Sequence, residues 1–195
     1  MGIIAIVTLS AATQFRSTAN KTGSPYNIAN YGAKANDPSF DNAPVINKII
    51  DKLSKTGGTI YIPNGNYHLL SPIVVDRSYV TIEGDAASVR STVDPNDGHT
   101  QASGGGSMLV SHDGVTAIKV KNSVNTNRIS GLTFRDFHIK GSANNGFGID
   151  AQTDNDRISI ESMAFNNVGV AIRLRGADAA RISGSLVAET TSGIE

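Results

Sequence analysis

Apolar and polar residues alternate in short runs through most of this chain. Ile118 is followed by Val120, Ile149 by Ala151 and Ile172 by Leu174, each pair separated by one polar or charged residue. A period of two puts one face of an extended segment inside and the other outside. The runs recur at 117–121, 148–152 and 171–175, and a further one opens at Gly193-Ile194-Glu195. Ile149, Ile172 and Ile194 stand 23 and 22 residues apart. Three segments between them begin alike, Arg128-Ile129-Ser130, Arg157-Ile158-Ser159 and Arg181-Ile182-Ser183, and read as a second marker of the same repeat. A repeat of this length, with two or three short strands, tight polar turns and no long amphipathic helix, predicts one coil of a solenoid. No Leu-x-x-Leu-x-Leu pattern supports a leucine-rich repeat. The fold expected is therefore all-β, a right-handed parallel β-helix. Its outward residues Lys119, Asp150, Arg173 and Glu195 are expected to stack as a stripe that suits a long polar ligand. The plainer reading of any one of these charges is a solvated sheet face.

The segment before the repeats has a different pattern. Apolar residues at Val45, Ile46, Ile49, Ile50 and Leu53 have helical spacing over 42–55, with Asp41 placed to cap the start and Thr56-Gly57-Gly58 to end it. Residues 26–33 read as a short strand and turn. Strands are expected at 59–63, 67–70, 73–75 and 79–84, with Asn64-Gly65-Asn66 as a turn, and the coils resume at 108–110 and 117–121. Residues 85–106 carry Asp94-Pro95-Asn96-Asp97-Gly98 and Gly104-Gly105-Gly106 and read as a long loop, with Arg90 and Asp94 in it.

Composition narrows the class. The chain of 195 residues is long enough for one sizeable domain; it is 17% charged, with 20 Gly and no Trp, which suits a turn-rich β protein. A formal net charge of zero argues against a nucleic-acid partner. Cys is absent and His68, His99, His112 and His138 are scattered, so no zinc-type cluster is expected. No apolar run reaches the length of a membrane span. Residues 2–12 form a short apolar run, with Ser10-Ala11-Ala12 as a cleavage site, although no Lys or Arg precedes it. The expectation is a signal and linker over 1–25, a secreted protein, and a β-helix domain over 26–195.

The order Tyr31-Gly32-Ala33, helix, Gly57-Gly58-Thr59-Ile60-Tyr61-Ile62-Pro63 resembles the N-terminal entry of the pectate-lyase-like and polygalacturonase-like β-helix enzymes. In those proteins a short helix caps the open end of the first coil. A lid is needed because that coil otherwise exposes an apolar cross-section and unpaired strand edges.

From about Val74 onward the sequence resembles the inulin fructotransferases, β-helix enzymes acting on a β-2,1-linked fructan. The resemblance rests on "SYVTIEG", "SGLTFRDF", Asp154-Asn155-Asp156 and, most specifically, "RGADAARISGSLVAE" at 175–189. It implies Asp178 and Glu189 as catalytic carboxylates. Two carboxylates are the usual equipment for cleaving a glycosidic bond, one protonated for the leaving oxygen and one ionised. The implied reaction is intramolecular: a hydroxyl of the penultimate fructose attacks the terminal anomeric carbon, a difructose dianhydride leaves, and no water is consumed. Glu189 is assigned as general acid/base and Asp178 as charge stabiliser or nucleophile, and the reverse assignment fits the spacing equally. Asp150 and Arg173 are candidates to hold fructose hydroxyls, and no metal or organic cofactor is implied.

The resemblance also implies a homotrimer with sites between subunits. The sequence departs from the family in a shorter, hydroxyl-rich and aromatic-poor connection at 141–148. It stops at Glu195 within a coil, so a longer protein truncated at the C-terminus is expected. Three other readings stay open. They are a difructose dianhydride hydrolase on the same scaffold, a pectinase-like enzyme with Asp154 and Asp156 as the place for a calcium cluster, and a β-helix that binds glycan without chemistry.

Overall fold

The computed structural model describes residues 26–53, 56–87, 90–93, 100–103, 106–121 and 128–195. The signal and linker expected over 1–25, and Asp94 in the expected loop, lie outside these residues.

The chain enters through a 3-10 turn at Ile28–Tyr31, where a strand was expected. The Asn27 side chain accepts from the Ala29 N–H, and Gly32 closes the turn in the left-handed region at φ +95°. This local capping outcompetes strand pairing, of which one bridge remains, Asn27 with Tyr61. Helix α1 (Ala43–Lys52) follows, with Ala43, Ile46, Ile49 and Ile50 on its buried face. Asp41 Oδ1 accepts from the Ala43 N–H at 3.1 Å, as its position predicts. Asn42 is wholly buried: its Oδ1 accepts from Lys34 N–H at 2.8 Å and its Nδ2 donates to the carbonyls of Lys34 and His68. These bonds fasten the lid to the first coil.

Five successive coils follow. The first holds β1 (Gly58–Ile62), β2 (Gly65–Leu69) and β3 (Ile73–Val75). The second holds β4 (Val80–Gly84), β5 (Arg90–Val93), β6 (Thr100–Ser103), β7 (Ser107–Ser111), β8 (Ile118–Val120) and β9 (Ile129–Ser130). The third holds β10 (Thr133–Arg135), β11 (His138–Ala151) and β12 (Asn155–Asp156). The fourth holds β13 (Ser159–Glu161), β14 (Ala164–Leu174) and β15 (Ala177–Asp178). The fifth holds β16 (Arg181–Ser183), β17 (Leu186–Ala188) and β18 (Ser192–Ile194).

Corresponding strands stack in parallel. The first sheet runs β1-β4-β10-β13-β16, the second contains β2-β7-β11-β14-β17 together with β3, β8 and β18, and the third is β9-β12-β15. The chain is thus a parallel β-helix. The loop expected over 85–106 contains an antiparallel pair instead, β5 with β6.

Like residues pile on like inside the coils. Ile60, Ile82, Phe134, Ile160 and Ile182 form one inward column, and Ile73, Ile118, Ile149, Ile172 and Ile194 another. Phe134, Phe137 and Phe165 are fully buried, each contributing about 2–3 kcal/mol of transfer free energy. In the last coil Val187 and Ile194 are 36% and 57% exposed, so its face is apolar.

The last two steps of the second column, Ile149 to Ile172 and Ile172 to Ile194, keep the interval of 23 and 22 residues, while the earlier steps are longer. The Arg-Ile-Ser triplets do not repeat structurally. Ile129 pairs with Asn155, which pairs in turn with Ala177, in the third sheet, whereas Ile182 pairs with Ile160 in the first. The shared letters arise at different corners of the coil.

Those corners are columns of left-handed residues. Gly131, Arg157 and Ala179 turn the third sheet into the first, with Tyr79 at the same corner after β3; Asp136, Ser162 and Gly184 turn the first into the second; Asn167 and Glu189 bend the second sheet within itself. Their N–H groups bond to the coil below or above, as Arg157 does to Asp178 O and Asn167 to Glu189 O. The strain of a non-glycine residue at positive φ, about 1 kcal/mol, is offset by this stacking.

Candidate active site

Asp178 and Glu189 sit at different corners of the coil. Asp178 ends β15 on the third sheet, and Glu189 follows β17 at the bend of the second, so β16 and β17 lie between them.

Asp178 is well exposed and ion-paired: its Oδ2 lies 2.8 Å from Arg128 Nη1. The same guanidinium forks onto Asp154, with Nε 3.0 Å from Oδ2 and Nη2 2.9 Å from Oδ1. Three nitrogens of one arginine therefore tie three successive coils together, and the hydrogen bonds to the two carboxylates push its pKa further up. Gly176 stacks on Asp154, and a Cβ there would stand 3.9 Å from Asp154 Oδ1, beside the ion pair. Asp156 pairs in register with Asp178. Its carboxyl is held below the usual range, first by the Ser130 hydrogen bond and further by the charges of Arg157 and Arg128.

Glu189 is half-buried at φ +52°, a conformation unusual for glutamate, and its carbonyl accepts from Asn167 N–H at 3.1 Å. The main chain at this bend thereby fixes where the carboxylate starts.

Asp150 and Arg173 are brought together. They pair in register on β11 and β14, with Lys119 on the other side of Asp150, so the expected stripe exists. It is not open to solvent along its length. Asp150 is fully buried: Arg173 forks onto it with both contacts at 2.7 Å, and Gln152 donates at 2.6 Å. The guanidinium lies 3.8 Å from the centre of the Phe147 ring. The outward placement holds, but each candidate substrate ligand already holds the other.

The 141–148 connection is not a loop. It lies within β11, where a register shift between Lys140 and Asn145 absorbs the extra residues. Asp154 and Asp156 are engaged with arginines, and among the described residues no group of three or more His, Asp or Glu is placed to hold a metal ion.

Sequence reasoning missed Arg128 and Asp154 as a unit. The signal was present as an arginine and an aspartate at matching points of successive coils, but it required the register of β9 against β12.

A curled stack of parallel strands capped by one helix defines a parallel β-helix. A family model described as rhamnogalacturonase A/epimerase, pectate lyase-like, matches residues 26–128. The chain belongs to that family. It is 29% identical over 201 residues to inulin fructotransferase [DFA-I-forming] of Arthrobacter globiformis, covering 87% of this chain and 50% of that protein. The crystal structure of DFA-IIIase from Arthrobacter chlorophenolicus A6 in complex with GF2 superposes with a TM-score of 0.73 at 26% identity, over 87% of this chain and 49% of the other. The same enzyme in complex with DFA-III gives a TM-score of 0.72 at 24% identity, over 87% and 47%, which shows the fold. The chain spans about half the length of these relatives.

Proposed function

We propose that the protein is a fructan-active enzyme of the inulin fructotransferase type, which cleaves inulin by intramolecular fructosyl transfer and releases a difructose dianhydride. One observation carries this reading: the likeness to an inulin fructotransferase extends over 87% of the chain. The 175–189 run, which resembles that family in sequence, holds both carboxylates.

In this reading Asp178, ion-paired with Arg128, is the charged carboxylate facing the anomeric carbon as positive charge develops there. Glu189 protonates the leaving oxygen and takes a proton from the attacking hydroxyl. The attacker belongs to the same substrate, so holding two fructose units in position supplies much of the rate. A second reading, hydrolysis of a difructose dianhydride, is favoured by the structural likeness to DFA-IIIase. The two differ in whether water reaches the anomeric centre. Secretion, supported by the apolar run at 2–12, and a homotrimer, supported by the family resemblance, belong to the same proposal.

The test is assay of Asp178→Asn and Glu189→Gln against inulin. Each is expected to lower kcat by about 100-fold or more with the circular dichroism spectrum unchanged. Retention of activity in both variants contradicts the assignment.

A further inference from the structure

A groove of about 360 Å³ lies along the corner between the first and second sheets. Its walls come from four successive coils: Asp85 and Ala86 after β4, Asp136 after β10, Ser162 after β13, and Gly184 and Leu186 after β16. Strands of neighbouring coils are about 4.8 Å apart, so the groove runs for roughly 14 Å along the solenoid axis. That length accommodates a short run of sugar units rather than one. The volume falls in the ordinary range for ligand sites, about 300–1,000 Å³.

The lining has a definite chemistry. Asp85 is held in place, with Oδ1 accepting from the Tyr61 hydroxyl at 2.6 Å and Oδ2 from Asn64 N–H at 3.2 Å. Burial, and then that bond, push the Tyr61 hydroxyl's pKa up, so it stays a donor to Asp85. Asp136 turns the corner at φ +59°. Carboxylates accept charge-assisted hydrogen bonds from hydroxyls, and the Ser162 hydroxyl both donates and accepts. Leu186, 51% exposed, and Ala86 supply apolar surface for the C–H faces of a sugar. None of the described lining residues is a cation, and Arg135 beside Asp136 is bonded to Glu83 with Nε 3.0 Å from Oε2. Two carboxylates, that of Asp85 held by hydrogen bonds, favour a neutral polyol and repel a polyuronate.

We infer that this corner groove is a binding track for a neutral oligosaccharide chain, and, resting on the fructan reading above, that the chain is a fructan. Gly184 and Leu186, at one end of the groove, lie on the fifth coil in the stretch of chain between Asp178 and Glu189. The track would hold the polymer while its terminal units are processed. Although the family takes its description from pectin-active enzymes, the groove selects against their acidic substrates.

The test is calorimetric titration of the full chain carrying Glu189→Gln, which removes turnover. The probes are an inulin-type fructo-oligosaccharide, a neutral galactan oligomer and an oligogalacturonate of equal length. Binding of the fructo-oligosaccharide, weakened about tenfold or more by Asp136→Ala and by the groove-filling Ala86→Trp, is the expected result. The galacturonate should not compete. If the galactan binds instead and the same variants abolish it, the neutral track stands and the fructan assignment falls. Equal binding in parent and variants, preference for the galacturonate, or no binding of any probe overturns the inference.

Discussion

At the level of single residues, the charge-bearing positions divide by what neighbours have already claimed. Asp150 is buried with Arg173 as its counter-ion, so Arg173→Met leaves a carboxylate without its charge partner. This should cost about 3 kcal/mol, read as a lowered denaturation midpoint. Asp178 pairs instead at the surface, where the same kind of contact contributes little to stability. Arg128→Gln is therefore expected to leave the melting temperature within a few degrees and to reduce kcat far more than it alters KM. Both carboxylates of the candidate site were legible through resemblance to a family. The burial of Asp150 was not, because alternation assigns a residue to a face without saying that Arg173 and Phe147 will cover it.

Two histidines make stability depend on pH. His68 is held below its ordinary pKa by burial and by His112, whose Nε2 lies 3.3 Å from its Nδ1, with Asp37 opposing. His138 is lowered by burial, with Asn166 opposing through a 2.7 Å hydrogen bond from Nε2, while its Nδ1 has no partner. A base whose pKa is depressed in the folded state binds protons more readily when unfolded, so stability is full above about pH 6.5 and falls as pH drops below it. Melting temperature measured from pH 7 to pH 5 should decline, and His68→Asn should flatten part of that decline.

Among the elements, those with a strong local period were read correctly. The helix capped by Asp41 and the strands at 59–62, 73–75 and 80–84 fall where spacing put them. The errors arose where a local motif was taken for a coil-to-coil relation. The Arg-Ile-Ser triplets look alike yet occupy different sheets, since register is decided by which apolar residues can stack, Ile160 on Ile182 and not Ile129 on Ile158. The 141–148 segment looked like a loop because Gly, Ser and Asn dominate it, but pairing with β14 carries it as a bulged strand.

Close packing between coils makes some of these glycines obligatory. A Cβ at Gly141 would stand 2.0 Å from Asn167 O, and at Gly57, already at φ +84°, 1.9 Å from Tyr79 O. Gly141→Ala should therefore destabilise by about 2 kcal/mol or more, measured by urea unfolding, because backbone and not a flexible side chain must move. The lid offers a parallel test. Asn42→Ala removes the buried bonds to Lys34 and His68 and should cost about 2–3 kcal/mol.

On the scale of the whole molecule, the repeat interval and the N-terminal entry pattern carried the fold, and the stacked isoleucine column is the physical basis of the repeat. The candidate site was legible only where chemistry-bearing residues fell inside a run that resembles one family. The corner groove was invisible in sequence, because its lining comes from four coils and no two of its polar residues are neighbours in the chain. The central claim is fructosyl transfer within one substrate molecule, and it is tested most directly by digesting inulin in water enriched in oxygen-18 and weighing the disaccharide product. Transfer predicts a non-reducing difructose free of the label and absent with Glu189→Gln. Labelled reducing sugars, or no product from a folded protein, would contradict it.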